Sequence, residues 1–413
     1  MKKAKRQNAQ TNRSDASVEF CDLERHQWRF FLRSSAATSG ANNAALPEGF
    51  VNALNAAGAW LGWSGTLQRA DRHPTPADFS QRLVVEQATE WREHDGILRT
   101  LEARTLLDAC YLQLGAAKEG ALQTPHALQD ALPALPAGEG YLGDAECWCL
   151  MRADGEPDEP ALREAIRRLA LPPDGYLTFA TQGGLLALYP DTLTACIVYT
   201  HAQTQPMSVL LHQLLPPFLL NLLKIRLLRK QYPKFKKEEV APQEKQLEQQ
   251  MAHAREAHGL SIEQIEQHSV QLAQQQAHYL EALSKIEEWL HTLKTLQDNL
   301  RRLLRDPLWY NGDESAPARL LLERVQLWID QLHSDLHYFH ITRRQADLHL
   351  QSLNTASGVR AAQWNRRITL LLGIFVVLEL PQAFPELSIP VRLALIGAGA
   401  LALLLGNWYF TRR

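Results

Sequence analysis

Three histidines on one helical stripe are the first candidates for chemistry: His333, His337 and His340 follow Asp330 at steps of three and four, a spacing that can present several ligands to one metal ion. A single helix cannot complete a metal's shell without ligands from a second element. The three also lie beside the apolar seam of their helix rather than in it, so the expectation is solvated imidazoles. Cys147 and Cys149 flank Trp148 in a segment that reads as a strand, which turns both thiols to one face, and Cys196 can approach on a neighbouring strand. The spacings of a zinc knuckle are absent, and buried thiol packing is the default. Gly183-Gly184 lacks the companion glycines and lysine of a phosphate-cradling loop and reads as a hairpin turn. A basic cluster of Lys224, Arg226, Arg229 and Lys230, continuing through Lys234, Lys236 and Lys237, follows an apolar run. It is either a patch for anionic headgroups or a solvated helix end balanced by Glu238, Glu239 and Glu244, the second being preferred. No nucleophile elbow, zinc-protease motif, kinase set or Walker sequence occurs, so no catalytic residue and no cofactor is expected.

The elements that must position these groups divide into a head and a long helical part. Residues 18–204 are expected to form an α+β domain, with helical patterns at Glu48–Leu61 and Asp78–Leu114 and a loop from Lys118 to Gly140. Then come a strand at Glu146–Arg152, a helix at Glu159–Leu169 and three strands at Tyr176–Thr181, Leu185–Tyr189 and Leu193–Thr200. Gln182-Gly183-Gly184 and Pro190-Asp191-Thr192 supply short turns, so the last three strands should form an antiparallel meander. Residues 205–242 hold an apolar run, Ser208–Leu223, whose length suits a buried or interfacial helix, and the basic linker.

From 243 to 365 good helix formers dominate and apolar residues approach a heptad. Ile265, Leu272, Tyr279, Leu283, Ile286, Leu290, Leu293, Leu300 and Leu304 hold one seam, with Ser269, Gln276 and Gln297 as polar interruptions. Val325, Ile329, Leu332, Leu336, Phe339, Ala346, Leu350 and Leu353 hold the other, broken by Arg343. Ser261 with Gln264 forms a capping box; Asp306-Pro307, Asn311-Gly312 and Ser315-x-Pro317 stop one helix and start the next. Two long antiparallel helices of a coiled-coil stalk are the expectation. The second runs about 75 Å at ~1.5 Å per residue into the C-terminal segment, with Gly358 as the hinge candidate.

Residues 366–413 read as a two-helix transmembrane hairpin. Leu393–Phe410 is apolar up to Asn407, would span about 27 Å, and ends in Trp408, Tyr409 and the Arg412-Arg413 pair. Ile368–Phe384 is interrupted by Glu379 and Pro381 and spans with help from Arg366 and Arg367. Paired arginines at both outer ends place both termini in the cytosol, with a tiny external loop, at an inner (plasma) membrane. Ala394, Ala398, Ala402 and Gly406 stand four apart, a small-residue ladder for close packing on the first span or on a neighbouring subunit. Residues 1–17 read as a disordered polar tail.

A net charge of -2 gives no global pull toward nucleic acid, and none is expected as a partner. Five cysteines over 413 residues fit reduced thiols better than a disulfide scaffold. The expected partners are the lipid bilayer, further copies of the chain, and a cytosolic protein or small-ligand trigger.

The layout over residues 243–413 resembles the CorA family of divalent-cation channels: long antiparallel helices, a stalk helix continuing into a first span, a minimal loop, a second span and a basic end. That resemblance implies an oligomer whose first span lines a pore, with Glu379 and Glu386 near the external mouth. The family's Gly-Met-Asn signature is replaced by Leu378-Glu379-Leu380-Pro381. A head, stalk and hairpin without that filter also resembles membrane-tethered effectors of prokaryotic antiviral defence systems, which implies triggered permeabilisation of the membrane. The effector is the first expectation, a CorA-like channel the second, and a non-conducting scaffold that recruits a partner through its coiled coil the third.

Overall fold

The computed structural model describes residues 18–32, 47–61, 81–82, 92–94, 96–106, 109–119, 128, 130–255, 261–379 and 389–412. Its contacts divide into two units, Met1–Tyr232 with Trp289–Gln331, and Pro233–Glu288 with Leu332–Arg413.

The first unit is an α+β head built on one sheet. Its strands are β1 (Phe20–Leu32), β2 (Gln81–Arg82), β3 (Arg92–His94), β4 (Ile97–Leu106), β5 (Ala109–Glu119), β6 (Tyr141–Arg152), β7 (Leu177–Thr181), β8 (Gly184–Tyr189) and β9 (Thr194–Thr200). They lie in the order β2-β4-β5-β1-β6-β9-β8-β7, with β3 also on β4. The β6–β9 pair is parallel and the other pairs are antiparallel. The expected meander of the last three strands is present.

The expected helix over Asp78–Leu114 is not: its described residues lie in β2, β3, β4 and β5. The reason is visible in β4, where Leu101 and Ala103 face one side of the sheet while Glu102 and Arg104 face the other. Leu, Glu, Ala and Arg are good helix formers, but here both sides of the alternation are covered, and tertiary packing overrides propensity. The central strand, β1, was not among the expected strands.

One side of the sheet packs on α1 (Glu48–Trp60) and α2 (Glu159–Arg168), around Leu23, Phe31, Leu112 and Trp148. Asp158 caps α2 by accepting from the Ala161 N–H at 2.9 Å. The other side receives a helix that starts at Thr204: α3 (Thr204–Val209), a π-turn at Leu210–Leu214, then α4 (Leu215–Phe235), whose Leu215, Phe218 and Leu219 are fully buried.

Beyond the head's part of α4, a second π-turn at Lys236–Val240 leads into α5 (Ala241–Arg255). Two long helices follow, α6 (Ile262–Leu304) and α7 (Ala316–Glu379), and then α8 (Ile389–Arg412). The Ser261 capping box forms as expected, with the Ser261 N–H donating to Gln264 Oε1 at 2.8 Å and the Gln264 N–H to Ser261 Oγ at 3.2 Å. The residues of both heptad seams are buried apart from half-buried Leu350. Descending pairs fix α6 and α7 as antiparallel neighbours. Within the head, Gln297 donates to Leu322 O at 3.2 Å. Within the second unit, Tyr279 packs on Phe339, Gln276 donates to Asp347, and Ser269 meets Asn354 at 3.1 Å. The polar interruptions of the seam are thus satisfied pairwise. Gly358, the expected hinge, lies inside unbroken α7 with open space where a Cβ would stand.

Candidate functional site

On the side of the sheet under α3 and α4, register sets polar residues in a row: Glu24, His26 and Trp28 on β1 face Ala117, Gly115 and Gln113 on β5, which in turn face Leu98, Thr100 and Glu102 on β4. Their side chains join into one hydrogen-bonded chain. Glu24 Oε2 lies 3.0 Å from His26 Nε2; His26 Nδ1 meets the Gln113 amide at 3.4 Å; Gln113 Oε1 meets His212 Nδ1 at 3.3 Å; and His212 Nδ1 lies 3.2 Å from Glu102 Oε2. Glu102 Oε1 then accepts from Arg104 Nε at 2.7 Å. His26, Arg104 and Gln113 are buried.

The chain reaches the helix through a proline effect. In the π-turn the Leu215 N–H donates to Leu210 O, and the next two residues, Pro216 and Pro217, have no N–H to give. The His212 carbonyl is left without its helical donor, and Arg104 Nη1 supplies one at 2.6 Å. The second π-turn repeats the pattern, with the Ala241 N–H donating to Lys236 O immediately before Pro242.

Burial pushes the Glu24 carboxyl up, but the hydrogen bond and charge of His26, the charge of His212 and a hydrogen bond from Tyr199 outweigh it and leave it below its ordinary value. Glu102 behaves alike: burial raises it, and His212 and Arg104 bring it down. Both are carboxylates at neutral pH. The arrangement ties three strands to the covering helix and makes that tie sensitive to protonation. Burial pushes the Cys147 thiol up, and the hydrogen bond with Cys147 together with burial raises Cys149 well above its ordinary value, so both remain thiols, 3.7 Å apart. Cys196 does not join them. It pairs with Trp148 across β6 and β9, and therefore sits on the opposite side of the sheet.

A second junction lies at the other edge of the head. The turn between α6 and α7 hydrogen-bonds to the edge of β7: the Gln182 N–H donates to Leu308 O at 2.8 Å, the Tyr310 N–H to Ala180 O at 3.0 Å, and Gln182 Nε2 to Pro307 O at 2.9 Å. Trp309, buried, packs on Phe179 of β7 and Phe218 of α4, each ring centroid 5.4 Å away. Asn311 and Gly312 turn the chain in the left-handed region, and α7 begins after Ser315. An edge strand is thereby covered by the segment joining α6 and α7.

The residues singled out by sequence are dispersed. His333 and His337 are exposed on α7, and half-buried His340 lies 3.2 Å from Glu287. Among the described residues no group of three or more His, Cys, Asp or Glu side chains is arranged to hold a metal ion. In the basic cluster Arg226 and Lys230 are exposed and Lys224 is half-buried; Arg229 stacks over Trp328 at 5.2 Å and lies 3.8 Å from Asp191. Glu379 is the exposed last residue of α7, and Glu386 lies outside the described residues, as do residues 380–385 and the polar tail. Ala394, Ala398 and Ala402 are exposed on α8, and the surroundings of Gly406 fall outside the description. α8 approaches α7 at Gly399, where an added Cβ would stand 2.8 Å from Val377 Cγ2. Large apolar side chains are open on these helices, among them Leu371, Leu372, Phe375, Val376 and Leu393.

Among the described residues one helix, His201–His253, is long and apolar enough to cross a membrane by length and composition, and 56% of its most apolar window is buried in the fold. Within the head its Leu210, Leu215, Phe218 and Leu219 are fully buried, which accounts for their apolar character. Leu393–Ala402 is a shorter apolar stretch. The buried chain was not anticipated because its members are spread over β1, β4, β5 and the π-turn, and the only local signal, prolines at 216 and 217 just after a histidine, reads as a helix break. No protein-family model, curated protein or solved structure matches this chain.

Proposed function

We propose that the chain is a membrane-anchored, oligomeric effector that couples its α+β head to permeabilisation of a bilayer through α7. The observation that carries this reading is the unbroken course of α7, which leaves the β7 edge of the head beside Trp309 and runs without interruption to Glu379, where its side chains turn apolar and exposed. Exposed leucine, phenylalanine and valine in a continuous run are costly in water and ordinary in lipid. The α7 end and α8 then form a two-span hairpin in the inner membrane, both termini cytosolic, with Arg366 and Arg367 at the inner boundary.

The head sets the state of the hairpin. A ligand or partner that differentially binds one arrangement of the buried polar chain shifts the helix at Leu210–Leu214, and Phe218 lies four residues beyond that turn, against Trp309. Bistability of this joint is what transmission along α7 requires. The second reading is a CorA-like conducting channel. Exposed Glu379 at the end of α7, a carboxylate able to draw cations to a pore mouth, is the observation in its favour.

The experiment is release of ions and of dyes of graded size from liposomes containing the purified chain, beside a version truncated before Arg366. Hairpin-dependent release of dye supports the effector; release of small cations alone supports the channel. A truncated version that still floats with vesicles removes the anchor assignment. Full retention of every probe, with and without candidate triggers, removes permeabilisation.

A further inference from the structure

Helix α7 carries a second heptad seam. The first, Leu336, Phe339, Ala346 and Leu353, is buried; two residues beyond its members, and so about 200° around the helix, lie Tyr338, Ile341, Leu348 and Thr355, with Val359 next in step. Leu327, two heptads before Ile341 with Ser334 between them, and Leu320, one heptad further, continue the stripe toward the start of α7. These six large apolar side chains, Thr355 set aside, are between 46% and 69% exposed. A helix with one apolar stripe needs one partner, and a helix with two opposed stripes needs two. α6 satisfies only the first.

We infer that this outer seam is the contact between copies of the chain, with α7 helices lying parallel and in register. The inference rests on the anchored reading above for its direction: copies held in one bilayer by the same C-terminal helices run the same way along it. Charge agrees over most of the seam, because Gln331, Ser334, Gln345, Ser352 and Thr355 between the large residues are uncharged, so identical residues meet there without repulsion; Arg324, between Leu320 and Leu327, is the charged position. Area agrees as well. Six side chains exposing about 100 Å² each would remove roughly 1,200 Å² between two copies, the lower limit of a specific stable interface. The exposed Ala394, Ala398 and Ala402 on α8 extend the same contact into the apolar segment.

The test is cysteine cross-linking on the full chain in detergent and in vesicles, in a Cys21→Ser background because the other four thiols are buried. Copper-phenanthroline removes two electrons and two protons from each thiol pair and passes the electrons to oxygen. Ile341→Cys and Leu348→Cys are expected to give dimers by self-linking, while His333→Cys, exposed but a quarter-turn off the seam, gives at least fivefold less. Linking of Leu327→Cys only to Ile341→Cys in mixed samples, with neither linking to itself, would overturn the parallel arrangement. Equal linking at His333 would overturn the seam. A monomeric mass for the unmodified chain by light scattering overturns the inference altogether. As a second variant, Ile341→Asp with Leu348→Asp should lower the mass to that of one chain with thermal unfolding unchanged, since neither side chain is buried within a copy. Flotation with vesicles is read in parallel: a chain that floats without seam-specific linking fails here alone, and one that links but does not float fails the anchored reading alone.

Discussion

A methyl group at position 115 would collide with Thr100 Oγ1 and come within 3.1 Å of His26 Nδ1, so glycine is what leaves room for the imidazole between β1 and β5. Gly115→Val should displace His26 from Glu24 and Gln113 and destabilise the head by about 1–3 kcal/mol, the usual cost of overpacking. Chemical denaturation gives the magnitude, and loss of the His26 ring signal's native shift in NMR gives the cause; an unchanged spectrum would refute the packing account. The carboxylates at the two ends of the chain make a separate demand. Glu24 and Glu102 are held below the ordinary carboxylate value in the folded state, so the unfolded chain binds protons first as pH falls. Their contribution is fully present above the ordinary carboxylate value of 4.5 and is lost as pH drops through their lower folded values. Thermal unfolding followed from pH 6 to pH 3 should therefore fall steeply below about 4.5. In Glu102→Gln the fall should be shallower and start from a lower plateau, because Arg104 then loses a buried charged partner.

At the scale of elements, the long helices were readable and half of the sheet was not. Heptad positions such as Ile265, Tyr279, Ile329 and Phe339 are buried as their spacing requires, because a helix seam is a local pattern that needs only one neighbour. Strands β4 and β5 were hidden because their second face is also covered, so Arg104 and Gln113, which look like solvent-facing helix residues, are buried and Glu102 is half-buried. β1 was missed for a related reason: Glu24, Arg25, His26 and Arg29 interrupt its hydrophobic pattern, and although Glu24 and His26 pair within the strand, Arg25 and Arg29 find Glu146 and Asp144 only on β6, and His26 reaches Gln113 only on β5. The site inherits the same limit, since a polar chain across three strands and a π-turn has no signature in any one segment. The α6–α7 turn was legible as a turn but not as a sheet extension. Its anchor yields a prediction at this scale. Trp309→Ala removes a buried ring from Phe179 and Phe218 and should cost about 3–5 kcal/mol. Trp309→Phe should cost less than about 1.5 kcal/mol, because Trp309 Nε1 has no hydrogen-bond partner to lose. Faster hydrogen exchange at the Gln182 and Tyr310 amides in the alanine variant alone is the expected readout; equal protection in all three proteins would show that the backbone bonds hold the turn without the ring.

For the molecule as a whole, the proposed mechanism needs α7 and α8 to move as a pair, and they approach closely at Val377 and Gly399. α8 offers its own control: Gly397 stands two residues away on the same helix with open space where its Cβ would be. Gly399→Leu must force the helices apart or distort Val377, whereas Gly397→Leu adds apolar surface to a face that is already open. If the pair is the unit that perturbs the bilayer, the first substitution should reduce triggered liposome release at least tenfold and the second should leave it within twofold, with equal insertion of both proteins by flotation. The geometry has an independent check in the double variant Val377→Cys, Gly399→Cys, which should form an intramolecular disulfide, while Val377→Cys with Gly397→Cys should not. Equal loss of release at 397 and 399 would point away from helix pairing and toward a general sensitivity of α8 to bulk. In that case close contact between the two helices would have no part in the coupling, and the membrane activity would have to be sought in α8 alone or in its contacts with other copies.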